Sequence, residues 1–451
     1  MVGLMNAFRW TWEWASAMHD EGPEVADTIA RLALHVGPHN LMRNEDVWSR
    51  DPQEAMLASA YPLASWFASS WWRLHWEPLP PDGVSPTIEW RMAHELAAAG
   101  HGFVWPQVLF AADGQRMRVW AVASQPDARQ SLRYLTSLEQ PTYVSLGDFG
   151  RGIEAFITAT LERLDARGRR ESDLRLLWNF VCEDRADSES AAYRRLEAEF
   201  GFEPDEAPEP FMEAALRLRQ IMGPSLSEVA AVYGKGTKGP TEIEALIQAP
   251  GLRGSPSDPR PSDAAPASGR GSVRPWEEAV EAARSVRAAI GNTEGRLEEG
   301  VLYDLLGIAA GEMASWSPPA QRTKAVLAKP LSHGHYRFVP RRGHPTSRRF
   351  DLARLYSDYL LPEATRGAWL ASSDLGTARQ QYQKAFAAEF LCPIRALTAF
   401  LEKDYSDGAI EEAAGYFGVS PLAAKALLTN NAILARDGTD EHVRPSRHYP
   451  I

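Results

Sequence analysis

Two stretches decide how this sequence is read: RRFDLARLYSDYLL, residues 348–361, and QQYQKAFAAEFLCP, residues 380–393. Both place apolar residues at helical spacing with polar residues between them. They predict a helix from about Ser347 to Leu361 and a longer one from Ala378 to Glu402. Working outward, EEAAGYFGVSPLAAKALL, residues 411–428, reads as two short helices around a turn at Gly418-Val419-Ser420-Pro421. Upstream, KAVLAKPLSHGHYRFVP, residues 324–340, is strand-like, and PWEEAVEAARSVRAAIG and EGVLYDLLGI read as a leading pair of helices.

Residues 251–274 are rich in Pro, Ser, Gly and Ala with almost no large apolar side chains. Such a stretch gains little by burial against the entropy of ordering it, and is expected to be a flexible linker. Residues 148–250 read as a helical segment, a small bundle, from the amphipathic runs FGRGIEAFITATLERLDARG and SESAAYRRLEAEFGF. Residues 1–147 form a Trp-rich α+β region that carries eleven of the fifteen tryptophans. There, residues 55–76 have helical spacing and PQVLFAADGQRMRVWAVAS predicts a hairpin turning at Asp113-Gly114. The fold class is therefore α+β, with four parts: 1–147, 148–250, 251–274 and 275–451.

The two opening stretches, in this order, resemble the RFTLAHELGHLLL and EANRFAAELLMP segments of the ImmA/IrrE family of zinc metallopeptidases. Arg349, Phe350, Leu352, Ala353, Leu360 and Leu361 carry the first match, and Phe386, Ala387, Ala388, Glu389, Leu391 and Pro393 the second. The resemblance extends over most of residues 275–440 and implies a mainly helical, zincin-like domain with a small sheet.

In an H-E-x-x-H helix two histidines four apart bind zinc on one face while the glutamate serves as general base. Carried over by position, the first histidine falls on Arg354, the glutamate on Leu355, the second histidine on Asp358 and the third ligand on Gln380. None of the four is a family residue, so the resemblance implies a pseudopeptidase with no cofactor. A guanidinium at Arg354 could replace the metal's charge, pairing with Asp358 at i,i+4 and with Gln380. The expected function is then regulatory or sensing, the former active-site cleft binding a protein or peptide partner. The family's settings are mobile-element control, stress response, toxin–antitoxin pairs and phage defence.

Two further readings stay open. A rearranged zinc endopeptidase would use His333, His335 and His344, since an H-x-H pair in a strand shares one face. A DNA-binding regulator would use the basic run Arg337, Arg341, Arg342, Arg348 and Arg349 with the helix-turn-helix-like end. The net charge of −11 argues against broad affinity for nucleic acid.

Elsewhere, His94, Glu95 and His101 have the wrong spacing for a zinc motif, and His94 is expected to be a satisfied histidine at a helix–sheet contact. Trp66, Trp71, Trp72 and Trp76 read as core and interface residues. GKGTKGP, residues 234–240, does not meet the phosphate-loop pattern. Cys182 and Cys392 match no metal or redox spacing and are expected to be buried thiols. No apolar run reaches membrane-spanning length and the first residues do not read as a secretion signal, which predicts a cytoplasmic protein with no membrane partner.

Overall fold

The computed structural model describes residues 7–16, 22–81, 83–124, 130–236, 238–261, 274–317, 323–341, 343–361 and 367–435. The architecture is mixed α+β, as expected, with several small antiparallel sheets among many helices. No described helix is long and apolar enough to cross a membrane. The chain divides into two compact units, one lying within residues 7–208 and the other formed chiefly by residues 209–435.

In the first unit β1 (Phe8–Trp14) pairs with β2 (Ile29–Val36), which also pairs with β3 (Met56–Ser59). Residues 55–76, whose apolar spacing is helical, thus begin with a strand. Ser59 then caps α1 (Ala60–Ser69), its hydroxyl accepting from the Tyr61 amide, and α2 (Trp71–Trp76) follows. After α3 (Ile88–His94), the hairpin of β4 (Gln107–Ala112) and β5 (Arg116–Val122) turns at Asp113-Gly114 as expected, and β6 (Thr142–Ser145) pairs with β5. Asp113 Oδ1 accepts from the Gln115 and Arg116 amides and Gly114 takes φ +89°, which a side chain would resist.

Three helices complete this unit: α4 (Leu146–Ala166), α5 (Asp173–Ala186) and α6 (Ser188–Glu199). The i, i+4, i+7 spacing of Phe149, Ile153, Phe156, Ile157 and Leu161 buries one face of α4. That face enters an aromatic core in which Trp10 and Phe156 lie 4.9 Å apart and Phe110 and Phe149 5.3 Å. Trp66, Trp71 and Trp72 belong to the same core and Trp76 packs partly buried against it. Cys182, expected to be buried, is exposed because it follows Val181 onto the outer face of α5; Cys392 is buried.

The division at residue 208 falls inside the segment read as one helical bundle, where Pro204 and Pro208 interrupt helix. The helices beyond it, α7 (Glu209–Met222) and α8 (Gly239–Gln248), belong to the second unit. The expected linker also begins too early. Residues 252–254 form β7 (Leu252–Gly254), with Leu252 fully buried, and the Ser257 carbonyl accepts from Tyr356 Oη at 3.0 Å. Here the glycines allow close approach: a Cβ on Gly251 would strike the Phe338 carbonyl and one on Gly254 the Leu306 carbonyl. Residues 262–273 of the expected linker lie outside the described residues.

The second unit continues through α9 (Pro275–Ala289) and α10 (Glu299–Leu306) to β8 (Val326–Pro330) and β9 (Tyr336–Val339). Then come α11 (Pro345–Tyr359), β10 (Leu370–Ser372) and α12 (Ala378–Leu391). The sheet order is β7-β9-β8-β10, all antiparallel. The long helix expected to reach Glu402 stops at Leu391, since Pro393 donates no hydrogen bond and forces Cys392 out of helical geometry. Glu389 Oε2 accepts from the Ile394 amide at 3.1 Å and starts α13 (Ile394–Leu401). The end of the chain forms α14 (Asp407–Phe417) and α15 (Pro421–Asn430), joined at Gly418, as the Gly-Val-Ser-Pro turn predicts.

Candidate functional site

α11 and α12 pack against each other and against β10, so Arg354, Asp358 and Gln380 enter the same buried region. Arg354 is 1% exposed. Its Nη1 donates to Asp374 Oδ1 at 3.0 Å, and its Nη2 donates to Gln380 Oε1 at 2.8 Å and to the Ser373 carbonyl. The expected Arg354–Gln380 contact is present. The expected Arg354–Asp358 pair is not among the hydrogen bonds of either residue. Asp358 instead takes Nε and Nη2 of Arg379 at 2.6 and 2.7 Å and the Ala371 amide at 3.0 Å.

Gln380 Oε1 also accepts from the Ser373 amide at 2.8 Å, while its Nε2 donates to Glu228 Oε2 at 2.8 Å. Glu228 lies in the short turn Gly223–Glu228 that follows α7. The same carboxylate oxygen accepts from Thr377 Oγ1 at 2.7 Å, and the Glu228 carbonyl accepts from Ser373 Oγ at 2.6 Å. Asp374 receives a fork from Arg341, Nη1 to Oδ2 at 2.7 Å and Nη2 to Oδ1 at 3.0 Å.

Burial alone would raise the Asp374 pKa, but hydrogen bonding and charge from Arg341, with charge from Arg354 and Lys384, hold it well below the usual carboxylate range. Burial presses the Arg354 pKa down, and the nearby Asp374 opposes it.

This network also closes an edge. β10 borders the sheet, so its outward peptide groups would be free to pair with an added strand. The Ala371 amide goes to Asp358, and the Ala371 carbonyl accepts from Gln383 Nε2 at 2.9 Å. The Ser373 amide and carbonyl go to Gln380 and Arg354, and the Trp369 carbonyl accepts from Ser225 Oγ at 2.6 Å. A peptide adding here would have to displace these side chains.

Zinc does not fit these residues. A guanidinium offers no lone pair, Leu355 is fully buried in the apolar core, and both Asp358 oxygens are engaged by Arg379. The alternative histidines do not repair this. His333 sits in a turn at φ +58° rather than in a strand, His335 is exposed, and exposed His344 contacts Thr346 Oγ1 at 2.8 Å. Among the described residues no group of three or more His, Cys, Asp or Glu could hold a metal ion.

The basic run disperses in the same way. Arg341 is buried on Asp374, and Arg349 is buried with Nη1 on the Phe417 carbonyl at 3.1 Å and Nη2 on the Leu297 carbonyl. Arg348 lies 3.6 Å from Glu299, and Arg342 lies outside the described residues. Arg349 thus ties α11 to the end of α14.

In the first unit His94 and Glu95 diverge. His94 Nδ1 meets the Phe110 carbonyl on β4 at 2.9 Å, its Nε2 meets Glu77 Oε2 at 3.0 Å, and Trp90 stacks on its ring at 3.9 Å. This is the satisfied helix–sheet histidine that was expected. Glu95 pairs with Arg91, and His101 sits at φ +57° beyond the helix.

The sequence reading missed Asp374, Glu228, Arg341 and Arg379 as members of the site. Asp374 and Glu228 belong to loops with no motif, Arg341 stood out only as part of the basic run, and Arg379 could have been noticed as the residue beside Gln380. Comparison with protein-family models, curated proteins and solved structures finds no match for this chain.

Proposed function

We propose that this chain is a non-hydrolytic protein resembling the ImmA/IrrE peptidases, which acts in regulation or sensing by binding a protein or peptide partner in the cytoplasm. One observation carries the reading: at the position of the first zinc-binding histidine stands Arg354, buried and fixed by Asp374, Ser373 and Gln380. A general base is lacking as well, since Leu355 holds that position in the apolar core. Because the β10 edge is closed by side chains, recognition falls to an outer surface rather than to strand addition in the former cleft. Mobile-element control, stress response, toxin–antitoxin pairing and phage defence are the settings to examine.

The test is the zinc content of tag-free protein by elemental mass spectrometry, with a chelator-sensitive proteolysis assay beside it. The expected result is less than about a tenth of an equivalent of zinc and no proteolysis, given how tightly structural sites hold that metal. Close to one equivalent with chelator-sensitive cleavage would overturn the reading.

A further inference from the structure

One face of the second unit's sheet carries an uncommon pairing. Arg253 on β7 is the direct register partner of Arg337 on β9, and Arg337 is in turn the partner of Lys329 on β8. Directly opposed residues of antiparallel strands point to the same face, so three cations stand in a row across three strands, about 4.8 Å apart. Like charges so placed repel, and sheets ordinarily oppose such a residue with a carboxylate. Among the described residues none of the three forms an ion pair, and the Arg253 amide donates to Glu312 Oε2 at 3.4 Å, which places one carboxylate at that end of the row. Arg253 is exposed and the other two are partly exposed. Lys329 Nζ lies 5.8 Å from the Trp369 ring centroid, which extends the row toward β10.

We propose that this row, Arg253, Arg337 and Lys329, is a docking surface for an acidic segment of a partner protein. The inference rests on the binding function above and names the chemistry of the partner. Charge complementarity is its warrant: among the described residues this row forms no ion pair and has Glu312 beside its Arg253 end only, on a chain of net charge −11. A peptide is favoured over nucleic acid for two reasons. Trp369 is only 7% exposed and gives no platform for base stacking. Three cations would also supply a salt-dependence slope of only about −2 on a single strand.

The experiment measures fluorescence anisotropy of a labelled decapeptide of alternating Glu and Gly with the full chain at low and at high salt. Wild type is expected to bind and to weaken as salt rises. Replacing all three residues by alanine is expected to weaken binding at least about tenfold, and R337A alone about threefold, by loss of complementary charge. R395A, at an exposed arginine on α13, is the control and stays as wild type. Thermal midpoints of the row variants should equal or exceed that of wild type, because repulsion is relieved; weaker binding with unimpaired stability excludes misfolding as the cause. The proposal is overturned if wild type does not bind, if the triple variant binds as wild type does, or if a ten-residue oligothymidylate binds more tightly through the same three residues. Failure here with metal-free, non-proteolytic protein removes the docking surface alone; zinc and proteolysis would remove the function reading as well.

Discussion

Arg354 and Arg341 share one acceptor: Asp374 Oδ1 takes Nη1 of the first and Nη2 of the second, each at 3.0 Å. This carboxylate bridges two buried guanidinium groups, one on the helix α11 and one on the segment just before it, and Arg341 Nε also lies 3.4 Å from the buried Asp351 carboxylate. Asp374→Asn keeps the shape but removes the charge. Fully buried pairs lose about 3–5 kcal/mol when one partner is removed. Asp374 is 38% exposed, so solvent screens part of the effect, and about 2 kcal/mol is expected. Urea unfolding followed on the second unit's transition checks this; a change within error would mean that the arginines are neutralised some other way.

His94 is predicted to be structural. With Phe110's carbonyl on one ring nitrogen and Glu77 on the other, the imidazole has no free edge for chemistry. His94→Ala leaves Glu77 buried with Arg73 as its remaining charged partner and should cost about 3 kcal/mol. His94→Gln, which can still reach one partner, should recover part of it. Tryptophan fluorescence reports the first unit, and equal stability of His94→Ala and wild type would refute the assignment.

Gly254→Val is expected to release β7, because the added Cβ would run into the Leu306 carbonyl and Ile308. A cost of about 2–3 kcal/mol is anticipated for such overpacking. Hydrogen exchange at Phe338 and Arg337, across the ladder, should quicken in parallel. If neither changes, residues 252–254 do not contribute to the unit and the composition-based reading as linker was the better one.

How far the sequence was legible depends on the range of each signal. The Asp113-Gly114 hairpin and the buried stripe of α4 are set by neighbours within a few residues, and both were readable. Gly251 and Gly254 were misread because composition does not distinguish a glycine that permits close packing from one that permits motion. At the site, position alone led to Arg354, Asp358 and Gln380, and even to one of their contacts. Their other partners come from afar: Asp374 is 20 residues from Arg354, and Glu228 is 152 from Gln380. The i,i+4 pairing of Arg354 with Asp358 lost to Arg379, whose planar fork meets both Asp358 oxygens from the packed helix.

Acid should weaken the first unit in a window set by His75. Its ring packs against Trp71 at 4.2 Å and Phe149 at 5.5 Å. Burial lowers its pKa from 6.5 to about 4, aided by the Arg185 charge and opposed by the Nδ1 contact with the Trp71 carbonyl. A depressed histidine binds its proton more readily when unfolded, so its contribution is complete above pH 6.5 and declines as the pH falls to about 4. Glu77 is also depressed: burial works against its carboxylate, but His94 and Arg73 outweigh it. Its contribution is present above the ordinary carboxylate pKa of 4.5 and is lost only below it, so between pH 6.5 and 4.5 the Glu77 contribution stays in place while that of His75 declines. Urea midpoints of the tryptophan signal should fall from pH 6.5 to 4.5 in wild type and fall less in His75→Gln, where the titrating ring is gone. Parallel slopes in the two proteins would assign the acid sensitivity to another group.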